Sequence, residues 1–91
     1  MFTKKHPRKK YIYAVTGGKL LGEMLVFCED VNDEYQFLSL PQMKNRCIPK
    51  DKFHFGITEN IVEVVDRMPS KVYKVCSAQF EKNKRLHDMC D

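Results

Sequence analysis

No stretch of the 91 residues approaches the roughly 20 consecutive apolar residues that a membrane-spanning helix requires. The basic start resembles the first region of a signal peptide, but Tyr11 to Val15 is too short for the apolar region that must follow. No Cys-x-x-Cys pair occurs, so the close-paired cysteines of a structural zinc site are missing. The Gly-x-Ser-x-Gly elbow of a serine hydrolase is missing too. Thr16-Gly17-Gly18-Lys19 lacks the earlier glycine of a phosphate-binding loop, and a strand rather than a helix is expected after it. No RNA-recognition, KH or helix-turn-helix signature is present, and there are no internal repeats or low-complexity tracts. These absences remove the motif-bearing classes and leave the function to surface chemistry.

What is present is ordinary for a folded chain: 43% hydrophobic and 31% charged residues, too apolar for a disordered protein. The length allows one domain with a modest core, worth a net stability of roughly 5 kcal/mol or somewhat more. A buried polar active site would consume much of that margin, whereas a binding surface would not. The expectation is therefore a protein that is not an enzyme and carries no cofactor. Cys28, Cys47, Cys76 and Cys90 are widely spaced, and Cys28 and Cys76 lie on apolar stripes as small core residues do. Four free thiols in a reducing, cytoplasmic setting are expected. Cys47, His54, His87 and Cys90 could make up a four-ligand metal set only without close pairs, so no metal is expected.

Alternation over Lys9 to Val15 predicts a first strand, with Tyr11, Tyr13 and Val15 on one face. Gly17-Gly18 suits a tight hairpin turn, and Leu20 to Cys28 reads as the returning strand, with Gly22 as a bulge. Residues 29–34 form an acidic run and read as a loop before a third strand, Tyr35 to Leu40. Pro41 to Phe55 reads as an irregular, basic connection with a short extended piece at Lys52 to Phe55. Ile57, Ile61, Val64, Val65 and Met68 recur at helical spacing, with Thr58 as N-cap and Pro69 as terminator. Beyond Ser70, Val72, Val75, Cys76 and Phe80 share one helical stripe, although Val72 to Val75 also suits a strand. The predicted class is α+β: a three-stranded antiparallel sheet followed by one or two C-terminal helices. It forms a single domain over 1–91, with a mobile basic arm (1–9) and a fraying tail (83–91).

Charge is segregated along the chain. Lys4, Lys5, Arg8, Lys9 and Lys10 precede residue 11 with no carboxylate among them, and a second basic cluster includes Lys44 and Arg46. An arm of this kind, feeding a strand that carries Tyr11 and Tyr13, suits a nucleic-acid or partner surface: cations neutralise phosphates and aromatic rings stack on bases. Lysine outnumbers arginine 12 to 4, which disfavours base-specific readout. Residues 29–34 and 41–49, with Tyr35 and Met43 as apolar anchors, would instead present a protein-binding surface, where segregated charge speeds encounter. The expected function is a binding protein that occupies a protein partner, with nucleic-acid contacts through the arm. The alternative is a sequence-nonspecific RNA- or single-stranded-DNA-binding protein.

In its short, lysine-rich single domain and charged termini, the chain resembles small early proteins of large T-even-like tailed phages. That resemblance implies an inhibitor or adaptor that redirects a host factor in a bacterial cytoplasm.

Overall fold

The structure, a computed structural model, describes residues 7–86. Its elements are β1 (Tyr11–Val15), β2 (Met24–Val31), β3 (Glu34–Leu40), β4 (Lys44–Pro49), α1 (Lys50–Thr58), β5 (Val62–Arg67) and α2 (Ser70–Leu86). The class is α+β, as expected, but the sheet is antiparallel with five strands in the order β4-β3-β2-β1-β5. The chain meanders from β1 to β4, crosses through α1 to the far side, and lays β5 beside β1.

Both faces of the sheet are covered. On one, Tyr13, Val15, Leu25, Phe27, Tyr35, Phe37 and Val62 enclose Phe53 of α1. On the other, Val26, Cys28 and Leu38 meet Met68 and Cys76 and Phe80 of α2. Four successive residues of β2, Leu25 to Cys28, are buried because consecutive side chains face opposite layers that are both apolar.

Two of the strands were not expected from the sequence. The helix assigned from Thr58 to Met68 does not exist. Instead, α1 stops where Asn60 turns left-handed (φ 60°), with Ile61 N–H donating to Gly56 C=O and Asn60 N–H to Ile57 C=O. This paired closure is a Schellman motif, for which Asn is a fitting residue. Val62-Glu63-Val64-Val65, rich in β-branched side chains, then pairs with β1. Gly56 lets α1 approach that strand, since a Cβ there would lie 2.9 Å from Val62 Cγ2. The second unexpected strand, β4, was obscured by its flanking prolines. As an edge strand it accommodates Pro49 at its end. The residues read as a short extended piece, Lys52 to Phe55, are helical.

The turns differ as well. Residues 16–23 form a wide connection, not a tight Gly17-Gly18 hairpin. Gly18 and Gly22 carry its positive φ angles (80° and 90°), and Gly22 N–H donates to Val15 C=O. The acidic run 29–34 is not a loop: it ends β2 and begins β3 around a two-residue turn, with Asn32 at φ 52°. Its carboxylates are used internally, Glu29 with Lys84 and Asp30 with Lys50, each pair at 2.7 Å.

The region 71–80, open to either reading, is helix. Of the tail expected to fray, residues 83–86 belong to α2. Asn83 donates to Met43 C=O at 3.0 Å and Asn45 Oδ1 at 2.9 Å. Of the arm expected to be mobile, residues 1–6 lie outside the described residues, whereas Pro7 is buried and Arg8 N–H donates to Tyr13 Oη at 2.9 Å.

Cys28 and Cys76 are free and buried, as expected. Burial pushes the Cys28 thiol up to about 12 and raises Cys76 as well, so both stay protonated. Cys47 is disulfide-bonded, which overturns the expectation of four free thiols. The argument for a reducing compartment thereby loses its premise. Thiol titration of the denatured, unreduced protein should count fewer than four thiols; a count of four would overturn the assignment.

Candidate functional site

The segment before β1, the β1–β5 pair and α1 border a groove of about 750 Å³. Pro7 and Tyr11 form one wall and Phe53 and Ile57 of α1 another, while Val64 and Glu63 of β5 line its outer side. Backbone geometry creates it. The β1–β5 register shifts between Ile12 and Tyr13, a bulge of the kind that bends a strand and re-aims its side chains.

The outer rim is β5 itself. It is an edge strand on which every residue after Val62 is exposed. Val64 and Val65 are 52% and 51% exposed, two adjacent valines on the edge strand. Protein edges of this kind are ordinarily blunted by charge or proline. Here Glu63, Asp66 and Arg67 flank an apolar centre.

Among the described residues, Lys44 and Arg46 are not brought together with the other candidates, Arg8, Lys9, Lys10, Tyr11 and Tyr13. Lys4 and Lys5 lie outside the described residues. Arg8 and Tyr11 border the groove, with the guanidinium 5.9 Å from the ring centroid. Tyr13 cannot stack on a base: it is 4% exposed and packs edge-on against Phe37 and Phe53. Burial raises its pKa, partly offset by the hydrogen bond from Arg8. Lys9 is exposed, and Lys10 Nζ donates to Ser70 Oγ at 3.0 Å. Lys44 is exposed, and Arg46 grips Glu23 with Nη2–Oε2 and Nε–Oε1 distances of 2.8 and 3.0 Å. Both lie on β4, at the opposite edge of the sheet from β5. The other proposed anchor surface dissolves too, because Tyr35 is a core residue and Met43 packs against the α2 layer.

Sequence reasoning missed the groove-forming residues Phe53, Ile57 and Val64. The available signal was the β-branched run at 62–65, which suits a strand better than a helix.

One polar constellation lies elsewhere. Tyr35 Oη and His54 Nε2 are 2.8 Å apart, and Lys50 sits 5.3 Å from the centroid of the Tyr35 ring. His54 also packs edge-on against Phe53 and Tyr35, and neither Tyr35 nor His54 lines the groove. This arrangement fixes α1 on the sheet. Among the described residues no group of three or more His, Cys, Asp or Glu is placed to hold a metal; His87 and Cys90 lie outside them. No described helix is long and apolar enough to cross a membrane. Comparison of the chain with protein-family models, with curated proteins and with solved structures finds no match.

Proposed function

We propose that the protein is a small non-enzymatic binding module that holds an extended segment of a partner protein along β5 and the adjoining groove. The observation that carries this reading is the open β5 edge, with Val64 exposed over an apolar groove. Strand addition to a free sheet edge takes its affinity from main-chain hydrogen bonds and its specificity from pockets for alternate side chains. The groove supplies such a pocket, walled by Tyr11, Phe53 and Ile57. Occupying a partner segment in this way inhibits or redirects that partner, and a bacterial host factor is the partner that the phage-like composition suggests.

Selection from a displayed library of extended peptides tests the reading. Peptides that bind the wild-type protein should lose about tenfold or more affinity on Val64→Lys, which sets a charge where an apolar side chain docks. Bound peptide should also slow amide exchange in β5. Recovery of no binder, or binders indifferent to Val64→Lys, would sink the proposal.

A further inference from the structure

The cations of α2 have two fates. Lys84, on the side of the helix that meets the sheet, is paired with Glu29. Lys71, Lys74, Lys82 and Arg85 are all exposed, and none is ion-paired among the described residues. At about 100° per residue these four fall within a sector of roughly 80°, directly opposite the buried Cys76 and Phe80. They form a rail about 21 Å long at a rise of 1.5 Å per residue. Ala78 lies on it, with Val75 and Glu81 at its margins.

The rail continues past the start of the helix. Lys10 Nζ bonds Ser70 Oγ at 3.0 Å, and Met68 N–H donates to Lys10 C=O at 2.7 Å, which fastens the segment before β1 to the first turn of α2. Lys9, the residue before Lys10, is exposed. Two basic clusters that are far apart in sequence thus become one surface.

Stability does not account for the placement of Lys71 and Lys74, although Arg85 sits in the last turn, where the dipole favours a cation. The first turn of α2 contains no acidic residue, and lysines gather at the positive end of its dipole. Lys71 with Lys74, and Lys82 with Arg85, are like-charge pairs at i,i+3, which weaken a helix. Glu23, Glu29 and Asp30 are engaged elsewhere, with Arg46, Lys84 and Lys50, which leaves Glu81, four residues before Arg85, as the carboxylate on α2 itself. On β5, Asp66 accepts from Arg67 N–H at 2.6 Å.

We infer that this rail, Lys71, Lys74, Lys82 and Arg85 continued by Lys9 and Lys10, binds the phosphate backbone of nucleic acid. A row of four cations along a rigid rod, with one carboxylate, Glu81, at its margin, suits a uniform polyanion. It lacks the aromatic anchors on which a protein interface depends. The lysine majority suits point contacts to phosphate without base readout. The surface is separate from the β5 groove, so either can fail without the other.

Fluorescence anisotropy with a labelled uridine homopolymer of about 20 nucleotides, titrated over a salt series, tests the inference. Lys71→Gln/Lys74→Gln/Lys82→Gln should bind tenfold or more weakly at low salt. Its plot of log affinity against log salt should be shallower by about 2, at roughly 0.7 per lost single-strand contact. The charge-matched control Lys19→Gln/Lys44→Gln/Lys52→Gln should behave as wild type, and circular dichroism verifies that both variants fold. Absence of wild-type binding at low salt would overturn the inference, as would equal losses in the two variants. Binding to phosphatidylserine vesicles without binding to the RNA would overturn it too.

Discussion

Phe53→Ala is expected to destabilise the protein by about 3–5 kcal/mol, enough to bring a domain of this size near global unfolding. Phe53 is 1% exposed, stacks on Phe37 at 5.3 Å between ring centroids, and meets Tyr35 and Tyr13 edge-on at 5.4 and 5.6 Å. Truncation removes transfer energy and leaves a cavity that three rings fixed on β1 and β3 cannot easily fill. The melting temperature should fall by roughly 15 °C or more. Phe53→Leu keeps most of the volume and should cost about 1.5 kcal/mol or less, leaving α1 seated. Urea denaturation measures both. A loss below about 1 kcal/mol for Phe53→Ala would show that α1 is not anchored through this residue.

The second large effect is expected at Arg46→Met, and it depends on pH. Burial alone would raise the Glu23 pKa, but the hydrogen bonds from Arg46 and Ser39 and the Arg46 charge outweigh it, and the group is held below its ordinary value. A carboxylate depressed in the folded state contributes stability above its unfolded pKa and loses it as pH falls through the folded value. Arg46→Met leaves a half-buried Glu23 with only the 2.6 Å bond from Ser39 among its two strongest partners. At neutral pH the cost should be about 2–3 kcal/mol, below that of a fully buried pair because both side chains retain some exposure. Protonating Glu23 removes the stranded charge, so the gap between variant and wild type should narrow as pH falls towards about 4. Glu23→Gln/Arg46→Met should recover part of the loss at neutral pH. A gap independent of pH would mean that Arg46 acts through packing alone.

The parts of the fold that were legible are those where local pattern and tertiary environment agree. β3 alternates and is bounded by Pro41, and α2 was legible through Cys76 and Phe80, which are buried, whereas Val72 and Val75 of the expected stripe are exposed. Residues 57–68 mislead because isoleucine and valine at 57, 61, 64 and 65 satisfy a helical period by coincidence. The switch depends on one backbone angle, at Asn60, and on β1 offering an open edge far away in sequence. The acidic run at 29–34 reads as solvated loop because its partners, Lys50 and Lys84, lie on elements packed against β2 only in three dimensions. The basic arm shows the same effect. Its charge was plain in the sequence, but the bond from Lys10 to Ser70, which brings it to the start of α2, was not. Tyr13 looked available for stacking because alternation shows that a strand has two faces without showing that both are covered.

The pairing of β1 with β5 also bears on the order in which the chain can fold. β1 is made early, yet Tyr11 and Val15 await Arg67 and Val62, their neighbours on one side, until those residues have been synthesised. A nascent chain that ends before β5 can form the β1–β4 meander, but its first strand has a bare edge and its aromatic interior lacks Val62. Closing that long loop is the entropically demanding step, and non-local strand pairing of this kind slows folding. The last strand therefore works as a latch, and a chain terminated before it should be the aggregation-prone species during synthesis.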